Sequence, residues 1–415
     1  MSLVARYPLK PRILCLAINF QKTGEHPLAT DNYHFESEEL KLLRQAVRQF
    51  ALKEIAPVAA DLDEKEMFSA ELTQKMGALG LFGTIVDPRY GGQGMDYLSY
   101  IVCVEELARV DGSQAATIAA HNSLGAGPLY YYGSEEQKKK YLPGLCTGQG
   151  LWAFGLTEPE AGSDAQASKT KASYDSVNDE WIINGSKIWI TNSSSILTQG
   201  MTVQAVTGTK PDGRPELTCF IVPKGAKGLT ARSMHGKMMW RASNTGELFF
   251  DGVRVPRDHI LGERGQGFKI MMETLDNGRL SIAAMGLGLA KGAFEMTLKY
   301  AKERKTFGVP LVKHQAVAFK IAEMAMRIEA AEGLLYKACM LKQNHKSFEK
   351  FAAMAKLYCS EVAEYCAREG QQTFGGYGLM KEYPIERFYR DAALLRIGEG
   401  TSEIQRIVIA RHVGC

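Results

Sequence analysis

Phe268–Arg304 reads as a single very long helical stretch, and Val312–Gln343, Ser347–Phe374 and Glu382–Arg396 follow it with short links. Helical patterns longer than about 25 residues, joined this closely, suggest helices that bury their apolar stripes against each other. Residues 266–415 are therefore expected to form a bundle of antiparallel helices. The preceding zone, 151–265, has the texture of strands. Trp181–Thr191 carries Asn184-Gly185, a dipeptide that supplies the positive φ of a tight hairpin turn. Met201–Val206, Leu217–Val222 and Gly246–Val255 are further strands, each bounded by Gly, Pro or Asp. A compact antiparallel barrel or sandwich follows. Residues 36–150 read as helical again. Leu43, Val47, Phe50 and Ala51 share one face, Pro57 stops that helix, and Asp96–Val110 and Ser113–Leu129 supply two more. The fold class is thus mixed and mainly α, in three domains behind an N-terminal extension over residues 1–35.

Composition excludes several functions. The chain is 45% hydrophobic with a net charge of +4. Arg6, Lys10, Arg12 and Lys22 precede the first acid, Glu25, and without them basic and acidic residues balance. The body of the protein gives no charge-based case for nucleic acid or an anionic membrane. The basic, acid-free start has the character of a mitochondrial presequence, but Pro8 and Pro11 interrupt any amphipathic helix there. An extension on a bacterial cytoplasmic protein is the preferred reading, with a presequence for the mitochondrial matrix as the alternative. Ile13–Ile18 is too short to span a membrane. The eight cysteines and eight histidines are dispersed, without C-x-x-C or H-E-x-x-H, so no disulfide framework and no metal site are expected.

Five segments can carry chemistry. Glu399 lies between Gly398 and Gly400, whose missing side chains allow substrate close to the backbone, and Thr401 or Ser402 can cap the helix that follows. A carboxylate held there can act as a general base; a solvated Glu in a helix cap is an equally good reading of this segment alone. Leu156–Asp164 contains Gly162 and Ser163 in a turn whose amides can hold a phosphate or a ring carbonyl, or simply join two domains. Trp189, Ile190 and Thr191 offer an aromatic and a hydroxyl to a flat ring, or a core tryptophan. Arg304-Lys305-Thr306-Phe307-Gly308 offers a phosphate partner or a basic helix end. Gln372-Thr373-Phe374-Gly375-Gly376 offers backbone approach or a helix C-cap. Gly286–Gly292 imitates a dinucleotide fingerprint. It follows no strand and lies within a long helix, so its small residues are expected to serve close helix packing.

Taken together and in order, LTEPEAGSD, WITN, ERKTFG with HQA, QQTFGGYG and GEGTSEIQR resemble the acyl-CoA dehydrogenase family from about residue 37 to 412. The resemblance implies a helical domain, a middle β domain and a C-terminal four-helix bundle, with FAD between the last two. It implies a tetramer, or sometimes a dimer, that shares its FAD sites between subunits. Phe154, Leu156, Thr157, Gly162 and Ser163 would border the flavin, and Trp189, Ile190 and Thr191 would cover its ring. Arg304, Thr306, Phe307 and Gln315 would reach a neighbouring subunit's FAD. Gln372, Gly375, Gly376, Thr401 and Glu403 would contact the adenosine side. Asp276, Arg279, Gly400 and Ser163 would lie along acyl-CoA. Glu399 would take the α-proton, helped by its own N–H on the thioester carbonyl, and electrons would leave to electron-transfer flavoprotein.

Two departures sharpen this expectation. Some family members place the base at the position of Gly278, which here has no side chain, so Glu399 should act alone. Many straight-chain enzymes carry Tyr where this chain has Gly398, which points to a branched or bulky acyl group. An acyl-CoA oxidase using oxygen and a non-catalytic flavin- or acyl-CoA-binding scaffold are the alternatives. Oxidases are usually much longer, and a scaffold would be expected to lose the base.

Overall fold

The computed structural model describes residues 37–415; the N-terminal stretch, with its extension-or-presequence question and Cys15, lies outside the described residues. Ser37 caps α1 (Glu38–Phe50) by accepting from Leu40 N–H at 3.2 Å. Pro57 does not stop this helix. Five residues of π-helix, Ala51–Ile55, precede the ring, and Pro57 falls in the first turn of α2 (Ala56–Glu64), where a missing donor costs least. Next come α3 (Ala70–Ala78), α4 (Tyr97–Ala108, capped by Asp96) and α5 (Gly112–Ala119). A second π segment, Ala120–Ala126, carries α5 into α6 (Gly127–Tyr132), and α7 (Glu135–Leu145) follows.

The β domain comprises β1 (Leu151–Gly155), β2 (Lys171–Asp175), β3 (Glu180–Thr191), β4 (Thr198–Thr209), β5 (Pro215–Pro223), β6 (Leu229–Ser233), β7 (Thr245–Pro256) and β8 (Ile260–Leu261). They form one sheet in the order β6-β7-β3-β2-β4-β5-β8, with β1 on β4. Of the two expected forms the sheet fits the sandwich and does not close into a barrel, and because β1 runs parallel to β4 it is not purely antiparallel. Nor is Asn184-Gly185 a hairpin turn. β3 runs straight through it, and its register on β7 slips there as a bulge. Gly185 has φ +145°, and a Cβ on it would lie 2.6 Å from Thr170 Oγ1. The glycine admits a neighbouring chain instead of reversing its own.

In the C-terminal zone, α8 (Gly267–Glu303) is followed by a two-residue-per-strand ribbon, β9 (Lys305–Thr306) and β10 (Val309–Pro310). Then come α9 (Gln315–Gln343), α10 (Glu349–Phe374), α11 (Ile385–Leu395) and α12 (Ser402–Val413). The small residues of α8 do serve close packing. A Cβ on Gly286 would meet Cys359 O at 2.7 Å, and one on Gly288 would meet Glu105 O at 2.2 Å. One apolar core therefore runs from α1 through α8 to α11, while Trp181, Ile183, Val203 and Phe220 centre a separate β core. Arg44 and Lys291 converge on Glu105 at 2.9 and 2.8 Å, a buried ionic tie between the first helices and the bundle. Among the described residues the cysteines are free, no cluster could hold a metal, and no helix is long and apolar enough to cross a membrane.

Candidate active site

α11 ends at Leu395, and the chain turns through Arg396–Gly400 before Thr401 caps α12, its hydroxyl accepting from Ile404 N–H at 3.3 Å. Within that turn Glu399 adopts φ +54° and Gly400 φ +92°. Glu399 is thus a left-handed residue with a Cβ, a strained state that surroundings must enforce. Its carboxylate faces α8, where a Cβ on Gly278 would come within 1.7 Å of Oε2 and 3.0 Å of Leu124 Cδ2. Oε2 is buried and has no hydrogen-bond partner among the described residues. Burial pushes the carboxyl up to about 7, while the positive charges of Lys356 and Arg279 pull the other way. Arg279 is itself bonded to Asp276, whose carboxyl is also raised by burial, against the pull of Arg279. The Glu399 N–H donates to no acceptor among the described residues. A carboxylate with one buried, unpartnered oxygen, titrating near neutrality, is suited to general-base work.

A second group gathers on the β domain. Ile188 N–H donates to Thr157 O at 2.9 Å and Lys187 Nζ to Leu156 O at 3.1 Å, so the Leu156–Asp164 turn lies against β3 just before Trp189. Trp189 has φ +59° and is 59% exposed, an indole held out of the core by its backbone. Thr191 is half-buried, and Gly162 and Ser163 are exposed. Phe154 and Ile190 lie deeper, 8% and 4% exposed, and their side chains belong to apolar clusters.

The third group lies at the far end of α8. Arg304, Thr306, Thr373, Gly375, Gly376 and Tyr377 line a cavity of about 440 Å³. Beside it Phe307, at the tip of the β9–β10 ribbon, is 97% exposed with φ +50°. Gln315 and Gln372 are exposed outside that lining, as is Glu403 on α12. The structure therefore brings Glu399, Gly400, Asp276 and Arg279 into one cluster, Leu156, Thr157 and Trp189 into a second, and Arg304, Thr306, Gly375 and Gly376 into a third.

Sequence reasoning passed over four residues here. Glu158, inside the first motif, accepts from Lys187 Nζ at 2.6 Å, Ser168 Oγ at 2.5 Å and Lys169 N–H at 2.6 Å. Burial raises its pKa, but Lys187 and these bonds overcome it and hold the carboxyl down at about 2. Lys356 and Gln405 both donate to the Gly400 carbonyl, at 2.6 and 2.9 Å. For Lys356 a signal was present: a lone lysine among Ala352, Ala353, Ala355 and Cys359 on one helix.

Comparisons with known proteins agree along the whole described chain. Family models for the acyl-CoA dehydrogenase N-terminal, middle and C-terminal domains match residues 37–149, 153–253 and 265–414. "Probable acyl-CoA dehydrogenase YngJ" of Bacillus subtilis is 48% identical over 91% of this chain and 98% of its own length. The short-chain specific acyl-CoA dehydrogenase of Clostridium acetobutylicum is 44% identical over 91% and 98%. Butyryl-CoA dehydrogenase from Megasphaera elsdenii superposes with a TM-score of 0.88 at 41% identity, covering 92% of this chain and 100% of its own. With a base-like Glu399 and exposed aromatic and glycine-rich surfaces on the same scaffold, the chain belongs to the acyl-CoA dehydrogenase family.

Proposed function

We propose that this protein oxidises an acyl-CoA thioester between Cα and Cβ to the trans-2-enoyl-CoA, with FAD as cofactor and Glu399 as the base. The observation that carries this reading is the half-buried Glu399, whose Oε2 is buried and unpartnered beside Gly278 and whose carboxyl is raised to about 7. The residues present fit FAD. Trp189 and Phe307 expose aromatic rings from left-handed backbone, and a Cβ on Gly162, Gly375 or Gly376 would meet nothing within 4 Å. Leu156, Thr157, Trp189 and Thr191 would hold the ring system. Arg304, Thr306, Phe307, Gln315, Gln372, Gly375, Gly376, Thr401 and Glu403 would hold the remainder, those of the third group from a neighbouring subunit. When bound, FAD supplies the hydride acceptor for the β-carbon.

The chain's own part is acid–base. Glu399 removes the α-proton, and substrate closing over it excludes water and strengthens its basicity. The free Glu399 N–H donates to the thioester oxygen, where negative charge grows as that proton leaves. Asp276 and Arg279 lie along the acyl-CoA site, and Ser163 near its CoA arm. Gly278→Ala should push the carboxylate aside and slow flavin reduction about 100-fold with FAD retained. Stopped-flow rates equal to the parent's would contradict this placement of Glu399.

The acyl group is proposed to be short and branched or bulky. A Cβ on Gly398 would meet only Leu394, at 3.7 Å, so packing does not demand glycine there. Isovaleryl- or 2-methylbutyryl-CoA should turn over at least as fast as butyryl-CoA. Gly398→Tyr should depress the branched substrates about 10-fold relative to butyryl-CoA. Much faster turnover of butyryl- or octanoyl-CoA by the parent would overturn the assignment. We further propose a homo-oligomer, a tetramer in the first instance, in the bacterial cytoplasm with electron-transfer flavoprotein as acceptor. A chain solved in work on the electron transferring flavoprotein of Acidaminococcus fermentans supports the last, with 42% identity and a TM-score of 0.88 over 92% of this chain and 100% of its own.

A further inference from the structure

We infer that Lys356 and Gln405 are positioning residues that lock the Glu399–Gly400 backbone in its left-handed form and so aim the base. The inference rests on the reading of Glu399 as that base. A left-handed residue with a Cβ persists only where its surroundings over-determine it, and here two side chains do so. Lys356 Nζ donates to Gly400 O at 2.6 Å, and Gln405 Nε2 donates to Gly400 O at 2.9 Å and to Glu399 O at 3.3 Å. Both side chains are buried. A Cβ on Gly400 would lie 2.7 Å from Gln405 Nε2, so the glycine is what lets the amide reach both carbonyls.

α10 acts as the template for the whole turn. One helical turn after Lys356, Ser360 Oγ donates to Leu395 O at 2.9 Å, where the turn begins. Farther out, Glu364 pairs with Arg396 at 3.0 Å and Glu361 with Arg406 at 2.5 Å, on either side of the base. Lys356 differs from these outer pairs. Its ammonium makes no ion pair within 4.0 Å among the described residues; its bond goes to a neutral carbonyl, and the carboxylate whose field it feels most is Glu399. The other groups facing Glu399 are Arg279 and Asp276 on α8 and Tyr97 and Tyr100 on α4, with Glu403 following on α12. Arg279 is bonded to Asp276, which leaves Lys356 as the cation without an ion pair beside the base.

Lys356 therefore both braces the backbone and favours the ionised base, whereas Gln405 only braces. The two roles separate in holoenzyme variants. Lys356→Met should lower kcat for flavin reduction about 100-fold with KM changed less than about 3-fold, and should move the acidic limb of the pH profile upward by about 1 pH unit. Gln405→Leu should lower kcat with the limb in place. Infrared difference spectra without substrate give an independent readout, since the Glu399 carboxyl band is identified by its loss in Glu399→Gln. Its midpoint should rise in Lys356→Met and stay in Gln405→Leu. Parent-like kcat and midpoint in Lys356→Met would overturn the inference. If that variant does not fold, parent-like kcat in Gln405→Leu would overturn it. Parent-like flavin reduction by Glu399→Gln would instead overturn the reading of the base, a separate outcome.

Discussion

Glu399→Gln is expected to bind FAD and acyl-CoA as the parent does and to reduce its flavin at least about 1,000-fold more slowly, the scale of a lost general base. The isosteric amide keeps the turn and the backbone N–H, so the loss falls on proton transfer alone. In the parent, kcat/KM should rise with pH through the titration of a carboxyl poised near 7 in the free protein, because only the ionised form accepts a proton. The variant should also be at least as stable as the parent at neutral pH. A carboxyl whose folded pKa lies above its unfolded value opposes folding once it is ionised, and the amide removes that opposition. Thermal unfolding and anaerobic stopped-flow on the same preparations check both halves. A variant that loses FAD or melts earlier would mean that Glu399 serves structure first.

The second large effect concerns Glu158. Glu158→Ala should destabilise the protein by about 3–5 kcal/mol, because Lys187, whose side chain is 0% exposed, would keep its charge without a counterion. With a folded pKa of about 2 against 4.5 unfolded, the carboxylate's contribution is fully present above about pH 4.5 and is lost as pH falls toward 2. The same carboxylate ties Ser168, Lys169 and Thr170 to the Leu156–Asp164 turn, so FAD affinity should fall with stability. Calorimetry and flavin titration test this. A parent-like melting temperature would show that Lys187 is neutral or solvated after all.

How much of this was legible in the sequence follows from the range of the interactions involved. Long helices announced themselves because 3.6-residue periodicity is local, and α8 ends within one residue of its expected bounds. The turn around Glu399 and the cap at Thr401 were equally local. Asn184-Gly185 misled because a bulge and a turn want the same glycine, and the contact that decides is with Thr170. Pro57 misled because a preceding π turn is invisible to propensity. The barrel stayed open because closure depends on strand partners, not on strand content. The buried state of Glu399 depends on Gly278 across the bundle. Its brace depends on Lys356, whose place among small apolar residues hints at burial but does not name the carbonyl it reaches.

Anaerobic mixing of the FAD-loaded protein with a branched short acyl-CoA, α-protonated and α-deuterated, tests the role of Glu399 most directly. The flavin absorbance should bleach in a single turnover, more slowly for the deuterated thioester, and Glu399→Gln should leave it oxidised on that timescale. Bleaching that ignores both the isotope and the substitution would contradict proton removal by Glu399.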